Sequence, residues 1–373
     1  MFIKKFALIF AKQYTSLGGQ AVIEGVMMRS PNAFVVAVRK ADGKIRLRKD
    51  QWFGLSKKYP FFKKPFLRGV LMLVESMANG IVALNYSANI AMAEEMKEKA
   101  LKSGMSEADL QKKMKAAEKV SFSTFLTIAS SFILGMGLFV FLPHTLTAWL
   151  SSFFDLQWSL DGFAFHAFDG LIKAMIFILY IFLIGFLPDI RKVFQYHGAE
   201  HKSISTFEAE ETLEVSNAKK YTTLHPRCGT SFIFFLLLVS IVLFSAIFSL
   251  VSFPAEYSNI LKHFFAIIFK VFLMFPIAGI SYELIKIAGK YPSNPVLRLI
   301  GFPGLMLQKL TTKEPTDSQL EVALASIKTV LYLEKKYSLN EAKEKVLKLE
   351  ETEITSVNEI DQQSDLLKEF LEV

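Results

Sequence analysis

Cysteine is almost absent: Cys228 is the only one in 373 residues, which excludes an intramolecular disulfide framework. Charge is missing from long stretches. Phe122–Pro143 and Ser231–Phe253 each run for more than 20 residues without Asp, Glu, Lys or Arg. At a rise of ~1.5 Å per residue, that is what a helix needs to cross a ~30 Å hydrocarbon layer. Basic residues are missing from particular connections. His144–Gly170 carries Asp155, Asp161 and Asp169 but no Lys or Arg, and the link around Glu256 has none before Lys262. There is no internal repeat. Phe2–Lys12 has neither the apolar length nor the small-residue cleavage site of a signal peptide. It reads instead as an amphipathic start that lies on the membrane or packs on the region behind it.

What is present is apolar bulk: 52% hydrophobic residues, with 36 phenylalanines concentrated in the uncharged runs. Two further spans are expected, Leu171–Leu187, whose Lys173 can snorkel, and Leu261–Ala288, which contains Lys270 and Glu283. The loop Pro188–Thr230 carries Arg191, Lys192, Lys202, Lys219, Lys220 and Arg227, and both ends of the chain are rich in Lys and Arg. The positive-inside rule therefore places this loop and both termini in the cytoplasm. The net charge of +8 is a matter of topology, so membrane lipid is the expected partner and nucleic acid is not. The fold class is an α-helical polytopic membrane protein with about four transmembrane helices and a small N-terminal α+β cytoplasmic region.

The remaining segments divide as follows. Residues 1–67 form the N-terminal region, in which Ala33–Arg39 and Lys44–Arg48 flank Ala41-Asp42-Gly43 as a β-hairpin. Residues 68–120 hold Arg68–Met92, a membrane-surface, re-entrant or protein-covered helix interrupted by Glu75, Asn79, Asn85 and Asn89, then the charged helical hairpin Glu94–Lys119. Residues 121–290 are the four-span membrane domain with its cytoplasmic loop 188–230. Residues 291–349 begin with a turn-rich interfacial segment, and Thr316 or Asp317 then caps a helix through Leu320, Ala323, Ile327 and Leu331. Residues 350–373 read as an acidic, weakly ordered tail.

Chemistry concentrates after Pro188. On a helix, Ile190, Val193, Phe194, His197, His201 and Ile204 recur at spacings of three and four and share one face. His197-Gly-Ala-Glu-His201 fits H-x-x-E-H, in which two imidazoles hold zinc and the glutamate is a general base. A third ligand is required, and His225, Cys228, Glu208 and Glu283 are the candidates. Three of the six histidines share one loop with the lone cysteine. Catalytic zinc, a closed structural site of His197, His201, His225 and Cys228, and histidines that only hydrogen-bond at a helix junction all remain open. A second polar cluster, Leu17–Pro31, offers Glu24 and Arg29, and its simplest reading is a turn and an edge strand with solvated charges.

Together these segments resemble the YqhQ-like family of bacterial membrane proteins. The shared blocks are Gly18–Arg29, Tyr196–Lys202, His225–Phe232, Ser281–Leu284, and Pro303–Leu305 with Gln308–Pro315, in order across residues 15 to 330. The resemblance implies a metal-dependent enzyme in the bacterial inner membrane. It also implies that Glu24, Arg29, His197, Glu200, His201, His225, Arg227, Cys228 and Glu283 belong to one set. The expected activity is a zinc-dependent hydrolase with Glu200 as base, His197 and His201 as ligands, and Arg227 or Arg29 as an anion holder. The alternative is a non-enzymatic scaffold or membrane-protein biogenesis factor in which the same residues order the cytoplasmic face. A transporter is a third option, supported only by Lys270 and Glu283 at membrane depth.

Overall fold

The computed structural model describes residues 17–52, 54–55, 59–103, 122–160, 162–251, 254, 256–290, 294–339 and 350–362. The amphipathic start expected over Phe2–Lys12, and the charged hairpin from residue 104 to 119, lie outside the described residues. Five strands form one antiparallel meander in sequence order: β1 (Gly18–Val22), β2 (Gly25–Arg29), β3 (Ala33–Arg39), β4 (Ile45–Gln51) and β5 (Glu350–Ile354). The expected hairpin is β3–β4, and Gly43 takes φ +84° in its turn, the conformation that favours glycine there. The Gly18–Arg29 block is a second hairpin with a two-residue turn, closed by Glu24 at φ +51°.

β5 departs from the expectation of a weakly ordered tail. Its acidic residues meet the basic strand β4: Arg46 pairs with Glu351, and Glu353 reaches Lys40 at 3.2 Å. Ile354 is buried beside them. Composition alone hid this, because the complementary charge lies some 300 residues upstream.

The helices are α1 (Leu67–Ser103), α2 (Phe122–Met136), α3 (Leu142–Phe153), α4 (Phe163–Ile184), α5 (Pro188–Glu208), α6 (Val215–Ala218), α7 (Gly229–Phe248), α8 (Asn259–Lys290), α9 (Pro295–Thr311), α10 (Asp317–Leu339) and α11 (Asn358–Gln362). Both faces of the sheet are covered, which explains why β3 is apolar throughout. Ala33, Val35 and Ala37 point into a core with Tyr196 and Ala199 of α5 and Leu320, Leu324 and Ile327 of α10. Phe34, Val36 and Val38 point the other way, onto Ala83, Tyr86 and Ile90 of α1. Glu334 of α10 ties the β2–β3 turn, accepting from Ser30 Oγ (2.6 Å), the Asn32 amide (2.8 Å) and Asn32 Nδ2 (2.6 Å).

Among the described residues, five helical stretches are long and apolar enough to cross a membrane: Leu67–Ala100, Ala129–Phe153, Phe163–Ile184, Gly229–Phe248 and Asn259–Ala288. The last four correspond to the expected spans, the first of them joined from α2 and α3 by a π-helical turn at Gly137–Phe141. Phe132, Ile133 and Leu134 are about 70% exposed, a surface that water does not tolerate and lipid does. α1 is one unbroken helix that absorbs the beginning of the charged stretch. It is about 55 Å long at ~1.5 Å per residue. Its first turn docks on α8, where Gly69 lies against Gly279 and Tyr282 and Arg68 pairs with Glu283. Its later turns lie on the sheet.

Candidate metal centre

α5 begins cleanly. Pro188 occupies the first turn, where its missing N–H costs nothing, and Asp189 complements the positive helix end. The helix then carries His197, Glu200 and His201 under the sheet. The two imidazoles, four residues apart, stack one turn over the next with centroids 4.4 Å apart. Each is anchored through Nδ1. His197 Nδ1 donates to the Thr311 carbonyl at 2.9 Å, at the end of α9, and His201 Nδ1 donates to the Thr223 carbonyl in the loop before α7. A proton fixed on Nδ1 leaves Nε2 as a lone pair, the tautomer a metal ligand needs.

Cys228 is the third member. It caps α7, and its sulfur accepts from the Thr230 amide at 3.4 Å. Sγ lies 3.2 Å from His197 Nε2. One ligand atom from each of His197, His201 and Cys228 falls within 4.8 Å of the others, so this group could hold a metal ion. His201 Nε2 is buried without a hydrogen-bond partner. Burial opposes ionisation of the Cys228 thiol, yet His201 and Thr230 outweigh it and leave the pKa below its ordinary value. Burial in turn lowers the pKa of His201. Two imidazoles and an acidified thiol are a donor set suited to a borderline-soft dication.

Glu200 lies beside the group and is not one of the three. Burial pushes its pKa up to about 8, against the nearby His197 and a hydrogen bond from the Gly19 amide. A side chain at position 19 would strike it, since a Cβ there falls 2.6 Å from Oε1. Glycine in the edge strand β1 therefore gives Glu200 its space. On α5, Gly198 serves the neighbouring segment: a Cβ would lie 2.1 Å from the Lys313 carbonyl. That contact admits the Lys313 amide to the Phe194 carbonyl at 2.9 Å.

The other sequence-derived candidates do not gather here. His225 sits behind His201, centroids 5.6 Å apart, and its Nε2 meets Glu208 at 3.3 Å. Arg227 pairs with the same Glu208. Gln308 of α9 clamps the His225 backbone, accepting its N–H and donating to its carbonyl, both at 2.8 Å. Glu24 pairs with Lys192 at 2.6 Å. Arg29 lines a cavity of about 400 Å³ between β1, β2 and α1, with its guanidinium 4.9 Å from the Trp52 ring and 3.9 Å from Glu75. Burial lowers the Arg29 pKa. Glu283 is held by Arg68.

Sequence reasoning missed the groups that orient the ligands. Thr223 and Thr311 act through backbone carbonyls, which no side-chain pattern reveals. Gly198, inside an otherwise ordinary helix, was the available signal of a close backbone approach.

The arrangement points to a multi-pass helical membrane protein whose sheet-containing unit carries a His/His/Cys group at the junction of α5 and α7. The chain belongs to the family described as protein of unknown function DUF1385, which matches residues 64–333 and includes all three members of the group. It is 33% identical over 322 residues to the uncharacterized protein YqhQ of Bacillus subtilis (strain 168), covering 85% of this chain and 92% of that protein. No solved structure matches it.

Proposed function

We propose that the chain is a zinc-dependent hydrolase-like protein whose site lies at the cytoplasmic face of the bacterial inner membrane. The observation that carries this reading is the pair of imidazoles whose Nδ1 protons are held by backbone carbonyls, with Nε2 of His197 against the Cys228 thiol and Nε2 of His201 without a hydrogen-bond partner. His197, His201 and Cys228 would hold the ion and leave a fourth position open. Zinc in such a site supplies Lewis acidity toward water and substrate oxygen. Glu200 accepts and returns the proton. A dication nearby would draw its pKa down from the raised value that burial alone sets. Arg227 is committed to Glu208 and Arg29 lies apart from the group beside Glu75, so this reading assigns neither as an anion holder.

The orientation rests on the Lys and Arg of loop 188–230 and their absence from 144–160. An interfacial position suits peptide or lipid substrates. On this orientation α1 lies along the membrane surface: Gly279, its docking point, is 20 residues into α8, about 30 Å from the opposite end at ~1.5 Å per residue.

A second reading, a scaffold or biogenesis factor, is supported by the extent of cross-bracing. Gln308, Thr311, Thr223, Glu208 and His225 tie α5, α9 and the start of α7 into one knot. Glu200→Gln separates the two. Zinc retained with loss of the ability to complement a deletion strain supports catalysis. Full complementation by this variant removes the general-base role and leaves the scaffold.

A further inference from the structure

Three of the six histidines lie at the metal centre or, in the case of His225, directly behind it. The other three, His144, His166 and His263, come from three different helices of the membrane domain and meet two lysines and an aspartate there. At the centre, Lys270 Nζ of α8 lies 2.5 Å from Asp169 Oδ2 of α4, with both side chains almost fully buried. Lys270 Nζ also lies 3.4 Å from His144 Nδ1 of α3. His144 Nε2 in turn lies 2.5 Å from His263 Nδ1, one turn into α8 and partly exposed. Lys173 approaches Asp169 at 3.9 Å from the next turn of α4. His166 donates Nε2–H to the Leu160 carbonyl at 2.7 Å, and its Nδ1, like Asp169 Oδ1, is buried without a partner.

Chemistry fixes the direction of this chain of hydrogen bonds. An ammonium only donates, so His144 Nδ1 accepts from Lys270. The proton of neutral His144 is then on Nε2 and is donated to His263 Nδ1. The charges do not balance: two lysines face one aspartate. α7, packed against both α4 and α8, has no charged side chain and offers the Phe244 ring between the two cations, 5.4 Å from Lys173 and 5.7 Å from Lys270, and the Phe248 ring 6.0 Å from Lys270. Arg68 and Glu283 pair with each other 13 residues further along α8. An unbalanced charge at membrane depth is costly, and such groups mark pathways for protons or ions. A metal ion is disfavoured by Lys270 at the centre.

We propose that Lys270, His144 and His263 form a proton relay in the membrane domain, opening on the side away from the sheet. When Lys270 passes a proton to His144 Nδ1, His144 releases its Nε2 proton to His263 Nδ1. Lys270 is left as a neutral amine, His263 becomes an imidazolium at the exposed end, and Asp169 remains paired with Lys173. Each transfer moves one proton and leaves every atom with its normal valence. The buried cluster thereby loses its excess charge when His263 releases the proton to solvent, and the reverse sequence, starting with protonation of His263 from solvent, restores Lys270 and the Nε2–H tautomer of His144. This relay is independent of the metal centre.

The test is ¹⁵N-histidine NMR of the full chain in lipid nanodiscs from pH 5 to pH 9, with signals assigned through His144→Gln and His263→Gln. The expected result is His144 as the Nε2–H tautomer at neutral pH. Coupled sites also predict that the midpoint of His263 moves by about one pH unit or more when a partner's charge is removed. It should rise in Lys270→Met and fall in Asp169→Asn, a pair of opposite shifts that misfolding does not produce. A His144 proton on Nδ1, or a His263 midpoint the same in all three proteins, overturns the relay.

Discussion

Gly198→Ala tests how the metal centre is held without touching a ligand. In a helix interior this substitution ordinarily stabilises by up to ~1 kcal/mol. Here the added methyl would lie 2.1 Å from the Lys313 carbonyl oxygen, where an ordinary contact needs at least 3.4 Å. The difference, about 1.3 Å, must be met by moving backbone, because the obstacle is a main-chain carbonyl and not the end of a flexible side chain. Over-packing of this kind costs ~1–3 kcal/mol, enough to reverse the sign of the helix-propensity gain. The displaced strand of chain carries the Thr311 carbonyl, two residues before Lys313, which fixes the tautomer of His197. Loss of such an outer partner weakens metal binding by ~10–100-fold. The assays are thermal unfolding of detergent-purified protein and a zinc competition titration. A variant as stable as the parent, with unchanged zinc affinity, would refute the packing argument.

Other outcomes follow from single contacts. Glu334→Ala leaves three donors at the β2–β3 turn without their acceptor, and should destabilise the sheet unit by ~2–4 kcal/mol, read as faster hydrogen exchange in β2 and β3. Glu283→Ala releases Arg68 and the first turn of α1; with both side chains partly exposed the loss should be ~1 kcal/mol and should appear as protease cleavage near residue 66. Deleting the chain from residue 350 removes β5 and bares the β4 edge, so Ile45 and Leu47 should lose exchange protection and the protein should aggregate more readily. Gly19→Ala should displace Glu200 while sparing the three candidate ligands, which predicts retained zinc with lost complementation.

Local patterns were legible wherever they were self-contained. The apolar runs identified four of the five membrane-length helices, the Asp42-Gly43 pair identified the β3–β4 turn, and the three-and-four spacing put His197 and His201 on one face. What was illegible depended on partners distant in sequence. β5 requires Arg46 and Lys40 to make sense of its acids. The Gly18–Arg29 hairpin passes for a solvated edge until α1 covers one face and α5 the other. Glu24, Arg29, Arg227 and Glu283 looked like members of a single site, yet each is taken by a different neighbour: Lys192, Glu75, Glu208 and Arg68. The second histidine cluster was spread over 119 residues, and its only local trace was a histidine at or near one end of each of three apolar runs.

Metal at His197, His201 and Cys228 is the central claim, and elemental analysis of the purified protein measures it. About one zinc per chain, lost together in His197→Ala/His201→Ala and reduced in Cys228→Ser, is the predicted result. No transition metal in the parent protein, even after incubation with zinc, would contradict it and leave the cluster as a hydrogen-bonded brace.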